Sequence, residues 1–157
     1  MAEGYGMKEE REKIVLKLKN YFKEKSAHYG IDLVFLYGSW VSGYPHSESD
    51  IDLAIVFSPA IDQENIFPLI TDIAYEVGKG LSREVNIIPI FEDFRKPMLY
   101  YNAIVLGEPL LIRDEARYRD LRMSAIVQME DFSIFGIPWQ LEIARKKLRG
   151  NERNLNF

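Results

Sequence analysis

No cysteine occurs among the 157 residues, so disulfide staples and thiolate metal centres are excluded from the start. No apolar run approaches the length of a membrane span. Met1 to Lys8 has none of the apolar core of a secretory signal, and with cysteine absent the expected compartment is the cytoplasm. An excess of positive charge is missing too. The formal net charge is −4, which disfavours a chain whose main task is to grip a nucleic-acid backbone. There is no internal repeat, low-complexity tract or long linker. What remains is ordinary for a globular protein: 47% hydrophobic and 28% charged residues, enough apolar surface for one well-buried core and a chain too short for two domains of usual size. Residues 1–157 are therefore expected to form a single domain.

Hydrophobic spacing orders the elements. From about Lys8 to Tyr29, Ile14, Leu18 and Phe22 recur at helical intervals among Glu and Lys, with Gly30 as the stop. Asp32 to Tyr37 reads as a strand. Gly38 to Ser49, with its glycines, serines and proline, reads as a loop holding one short helical turn. A second strand is expected over Ile51 to Phe57 and a helix over Asp62 to Lys79, ended with the help of Gly78 and Gly80. A third strand follows from Glu84 to Phe91, where Pro89 marks an edge or a termination. Pro97 to Leu106 reads as a helix stopped by Gly107, and Leu110 to Ile112 as a short strand. Asp114 is placed to cap a helix reaching Met129, and Pro138 suits the first turn of another over Trp139 to Leu148. A helical C-terminal segment over about 114–149 results, and the order predicts an α/β or α+β fold with a small mixed sheet flanked by helices.

The chemistry concentrates between the first two strands. Leu33-Val34-Phe35-Leu36-Tyr37 runs into Gly38-Ser39, and after ten intervening residues Asp50-Ile51-Asp52 opens the next apolar run. A strand has a side-chain period of two, so Asp50 and Asp52 share one face a few ångströms apart. Two carboxylates that close repel each other, and a hard divalent cation between them relieves the repulsion; Mg²⁺ takes one or two carboxylates together with substrate phosphates. Glycine lets backbone approach a ligand closely, and Ser39 with the N–H groups of a helical turn suits a phosphate. Cradle and clamp together point to nucleoside triphosphate chemistry.

Leu36-Tyr37-Gly38-Ser39, ten residues, then Asp50-Ile51-Asp52-Leu53 resembles the signature of the DNA polymerase β-type nucleotidyltransferase superfamily, and the short chain resembles its minimal nucleotidyltransferase (MNT) branch. The resemblance is strong over about residues 30–90. It implies the polymerase β-like fold, ATP as substrate, and two Mg²⁺ ions about 3.5–4 Å apart, with Mn²⁺ as the substitute. It makes Asp50 and Asp52 the shared metal ligands and catalytic residues, and gives the triphosphate to Gly38 and Ser39. Ser49, just before the first aspartate, is read either as a nucleotide ligand or as the cap of the turn entering the strand.

Two features depart from the family's pattern. A third carboxylate is normal on a later strand between hydrophobic neighbours, yet here Asn86 stands between Val85 and Ile87. Three readings follow: Glu84, two residues earlier on the same face, replaces it as a catalytic residue, catalysis proceeds with two acids, or the domain binds nucleotide without turning it over. An amide oxygen ligates Mg²⁺ but is no base at neutral pH. The second departure is Trp40-Val41-Ser42-Gly43 where many relatives carry arginine, which leaves Lys79, Arg83, Arg95 or Lys96 as sources of positive charge for phosphates.

Other residues carry two readings each. Trp40 stacks on a base or covers the core. His46 meets a phosphate or solvent. His28 is a favourable group at a helix C-terminus or a ligand. Phe132 to Trp139 is core packing or an interface. Arg145, Lys146, Lys147, Arg149 and Arg153 complement a helix dipole or contact an acidic partner or nucleic acid. The family resemblance implies an AMP-transferring antitoxin of a HEPN/MNT toxin–antitoxin pair, modifying a hydroxyl, usually a tyrosine, on a HEPN-domain partner. The alternatives are a nucleotide- or partner-binding module that inhibits by occlusion, and a transferase for an aminoglycoside-like antibiotic or RNA. Association into an oligomer is left open.

Overall fold

Residues 2–42, 49–93 and 96–155 are described by the structure, a computed structural model. Helix α1 spans Ala2–Tyr29, longer at its start than the apolar spacing alone indicates. Strand β1 is Ile31–Tyr37, α2 is the single turn Ser39–Ser42, and β2 is Ile51–Phe57. Then follow α3 (Gln63–Leu81), β3 (Val85–Pro89), α4 (Pro97–Ile104), β4 (Glu108–Ile112) and α5 (Glu115–Asp131). A π turn over Phe132–Gly136 leads into α6, Ile137–Leu155.

The strand order is β3-β2-β1-β4. β1 pairs antiparallel with β2 and β4, and β2 pairs parallel with β3. Helices cover both faces, so the central strands are apolar almost without interruption. On one face α1 and α3 bring Leu18, Phe22, Ile70, Ile73 and Val77 against Val34, Leu36, Ile51, Leu53 and Ile55. On the other, α4 and α5 bring Tyr100, Ala103, Ile104, Leu121 and Ala125 against Leu33, Phe35, Ala54 and Val56. Pro89 ends β3, which is also an edge strand, so its missing N–H disturbs no further ladder.

Several helix ends differ from the sequence reading, and α6 reaches Leu155 where Leu148 was expected. α3 runs through Gly78 and Gly80 and stops at Leu81, with Ser82 in the left-handed conformation at φ 52°. Val77 and Leu81 pack on the α1-side core, and that tertiary anchoring outweighs the glycines' weak helix propensity. Between α5 and α6 there is no irregular connection: backbone from Glu115 to Leu155 stays helical through the π turn. Pro138 lies in the first turn of α6, where the wider π turn before it accommodates the missing donor.

Arg117 on α5 ties this helix to the sheet. Its guanidinium donates to Asp32 Oδ2 at 2.6 Å and to the Phe57 carbonyl at 2.8 Å, with the side chain 16% exposed. The backbone N–H of Arg117 in turn bonds the cap, Asp114 Oδ1, at 3.0 Å. Arg117→Met leaves the half-buried Asp32 carboxylate unpaired and is expected to cost about 2–3 kcal/mol. Chemical denaturation checks it, and Asp32→Asn placed on top should recover part of the loss.

Candidate active site

Asp50 lies immediately before β2 and Asp52 is its second residue. The alternation that turns Ile51 and Leu53 toward α1 and α3 turns Asp50, Asp52, Ala54 and Val56 to the opposite face. Farther along β2 that face is covered by α4 and α5, whereas the aspartates are only half-buried at its end. Across the sheet, Asp52 has Tyr37 of β1 on one side and Asn86 of β3 on the other. Asn86 Nδ2 is 3.4 Å from both Asp50 Oδ2 and Asp52 Oδ1, a long bridge between the two carboxylates.

Gly38 explains how the preceding loop comes so close. Its φ is +80°, and a Cβ built there would lie 2.5 Å from Asp52 Oδ2. Only glycine permits both this backbone conformation and this approach. The Gly38 carbonyl then accepts from the N–H groups of Val41 and Ser42, each at 3.0 Å, which winds Ser39 into α2.

The strand pairing also settles where Glu84 and Asn86 stand. Ile51 pairs with Val85 and its N–H bonds the Glu84 carbonyl at 2.9 Å. Asn86 is thus next to the aspartate pair, while Glu84 is exposed one pleat back, beside Asp50. Glu84, Asp50, Ser49, Arg83, Ser82, Leu81 and Glu10 line an open cleft of about 490 Å³. Among the described residues no three acids come together as a metal cluster. The donor set next to Gly38 is two carboxylates and an amide, all hard oxygen donors once the amide turns its oxygen inward. That set fits an Mg²⁺-type ion which draws its remaining ligands from water and phosphate.

Electrostatics follow from the placement. The Asp52 carboxyl is pushed above its ordinary value, chiefly by burial and further by the Asp50 charge, with the Asn86 amide opposing. Burial and the Asp52 charge push the Tyr37 hydroxyl up to about 12. A neutral phenol therefore stands beside Asp52. Sequence reading placed Tyr37 at the end of a strand and assigned it nothing; its position became visible only once β1 and β2 were paired.

Trp40 resolves to its core reading: it is 1% exposed, and its Nε1 donates to the Ser49 carbonyl at 3.3 Å. Arg83 lies over the same indole at 4.9 Å, pairs with Glu10 and reaches the Ser49 carbonyl at 3.4 Å. Arg11 Nε holds the Trp40 carbonyl at 2.7 Å. These contacts fasten both flanks of the segment between the motif halves. Ser49 is itself buried at this junction. Lys79 and Lys96 are exposed. His46 and Arg95 lie outside the described residues. Among the described residues no helix is long and apolar enough to cross a membrane.

The family model for polymerase beta nucleotidyltransferases matches residues 16–116. Among solved structures, a chain of a toxin–antitoxin complex with AMP-PNP is 16% identical at a TM-score of 0.55, covering 86% of this chain and 98% of its own. A chain from the complex of a tri-AMPylated Shewanella oneidensis HEPN toxin with MNT antitoxin is 16% identical at 0.55, covering 85% and 98%. A chain of the MntA-HepT toxin–antitoxin pair is 16% identical at 0.54, covering 84% and 98%. No curated protein matches. At such identities the likeness to these structures establishes a shared fold.

Proposed function

Because the chain belongs to the polymerase beta nucleotidyltransferase family, we propose that it transfers AMP from ATP to a hydroxyl of a partner protein, a tyrosine of a HEPN-domain toxin, and so acts as the antitoxin. The observation that carries the transfer chemistry is the pairing of Asp50 and Asp52 at the start of β2, bridged by Asn86, with Asp52 directly against Gly38. Asp50 and Asp52 would hold a divalent cation, Mg²⁺ or Mn²⁺, which when bound supplies charge neutralisation at the phosphates and a lowered pKa for the attacking hydroxyl. Gly38 opens room for the triphosphate and Ser39 orients it at the start of α2, with buried Ser49 fixing the far side of the loop. The acceptor rests on the toxin–antitoxin complexes that share the fold, one of them with an AMPylated HEPN toxin, and the cytoplasmic setting on the lack of cysteine.

Intact mass spectrometry of a HEPN-domain partner, incubated with this chain, ATP and Mg²⁺, tests the proposal. AMP-sized increments on the partner, absent without ATP, are the expected result. A partner that binds stably yet gains no mass would favour the second reading, occlusion without turnover, which has one specific observation behind it: Asn86 rather than an acid beside the aspartates.

That position carries its own prediction. In Asn86→Asp a third carboxylate replaces an amide donor, so the metal-free protein loses a favourable contact and gains repulsion, while the bound cation gains a charged ligand. Thermal midpoint is expected to fall without metal and to rise more steeply than wild type as Mn²⁺ is added. Transfer should quicken by about tenfold or more if proton removal is limiting, the low end of what a general base contributes being roughly 10². Glu84→Gln separates the two candidate acids: a loss of transfer in the wild-type background would assign Glu84 the base role, and no change would leave the chemistry to the aspartates.

A further inference from the structure

Among the described residues helix α6 makes its contacts with the π turn and has no extended packing against the sheet or the helices that cover it. It is nevertheless amphipathic. At roughly 100° per residue, Ile137, Leu141, Ala144 and Leu148 fall within about 60° of one another. Leu141 and Leu148 are 54% and 64% exposed. The spacing of four, three and four residues is that of a coiled-coil seam. The π turn inserts one extra residue, which takes about 100° off the rotation that follows and brings this seam to within about 50° of the direction of the buried Leu121–Ala125 stripe of α5.

As far as Arg149 the charges on the seam's flanks are basic, and Glu152, one heptad beyond Arg145, is the acid that follows on that side. Arg145 and Lys147 fall on its two flanks, Lys146 and Arg149 lie farther round, and all four are exposed. Among the described residues none of the four forms an ion pair. Glu142, three residues before Arg145 and four before Lys146, pairs with neither among the described residues, so four cations stand with one acid over residues 142–149. On a chain of net charge −4, a locally basic rim around an apolar stripe is complementary to a surface with the opposite pattern. Two copies laid antiparallel through this seam would set Arg145 and Lys147 against their own kind.

We propose that α6 is a docking helix for a protein partner whose apolar helical groove is edged by Asp and Glu. The apolar stripe supplies the attraction, and the basic flanks select the partner and speed its approach. This surface is separate from β2 and its aspartates, and the inference stands whether or not AMP transfer is the activity.

The test uses the full chain and two synthetic helical peptides, each with leucine at the a and d positions of three heptads, one with glutamate and the other with lysine at e and g. Fluorescence anisotropy should show the glutamate peptide binding at least about tenfold more tightly than the lysine peptide, with the difference shrinking as salt rises. Leu141→Asp with Leu148→Asp should abolish binding while the thermal midpoint stays near wild type, because neither side chain is buried. Arg145→Glu with Lys147→Glu should invert the peptide preference. Equal binding of both peptides, or none, would overturn the proposal. So would a dimer of the chain in sedimentation that the two aspartate substitutions dissolve, which assigns the seam to a second copy. Binding of an RNA oligonucleotide that the charge reversal removes, with no peptide bound, would overturn it in favour of nucleic acid.

Discussion

Asp50→Asn combined with Asp52→Asn is expected to lower AMP transfer by on the order of 10³-fold or more and, at the same time, to leave the metal-free protein at least as stable as wild type. The first effect follows because both carboxylates proposed to hold the cation are gone, and a bound metal supplies several kcal/mol of transition-state charge stabilisation. The second follows from the electrostatics of the empty pair. Asp52 titrates above its ordinary value because burial disfavours its anion. A carboxyl raised in the folded state adds stability that is complete below the unfolded pKa and is lost as pH climbs through the folded one. Wild type should therefore lose stability between acid and neutral pH relative to the double variant, and the gap should close once Mg²⁺ or Mn²⁺ is added. Transfer assays and thermal scans at pH 4 to 7, each with and without metal, read both halves. Retained transfer would sink the metal-clamp proposal, and a large loss of folded protein would show that the carboxylates hold the fold in some way the structure does not display.

Gly38→Ala is expected to have the next largest effect, about 10²-fold on transfer with a drop in stability of roughly 1–2 kcal/mol. The φ of +80° is strained for alanine, and the new methyl would sit 2.5 Å from Asp52 Oδ2. Either the carboxylate or the backbone must shift, and displacement of about 1 Å in a reacting geometry costs that much rate. Gly80→Ala is the comparison: it lies within α3 with nothing inside 4 Å of its added methyl, and should stabilise by about 0.5–1 kcal/mol while transfer is unchanged. Equal behaviour of the two variants in transfer assays would remove Gly38 from the site.

Much of this was legible in the residues. β2 is found over Ile51 to Phe57 as read, because a paired aspartate start and a Ser58-Pro59 stop bracket an unbroken apolar run. The family signature placed the fold, and the family match and the mixed four-stranded sheet agree with it. What stayed hidden depended on pairing. Asn86 and Glu84 share a face by periodicity, but only the parallel register with β2 puts Asn86 beside both aspartates and Glu84 one pleat back. Tyr37 as the other neighbour of Asp52 needed the antiparallel register of β1. The end of α3 was misread because local glycine propensity was weighed without the packing of Val77 and Leu81. The apolar stretch from Phe132 onward looked irregular because a π turn has no sequence period of its own, and most of it proved exposed: Ile134, Phe135 and Trp139 are all on the surface.

The alternation along β2 has a consequence for how the chain finds its register. Its neighbours Ile51, Leu53 and Ile55 are fully enclosed under α1 and α3, so a slip of one residue during sheet assembly would drive Asp52 into the space meant for a leucine, beneath Phe22 and Ile73, and turn the isoleucines outward. An ionised carboxylate stranded there has no partner and costs several kcal/mol or must take up a proton. Asp52, proposed above as a cation ligand, thus penalises misaligned intermediates, and it acts before any ligand has arrived, as a proofreading mark on strand alignment while the protein folds.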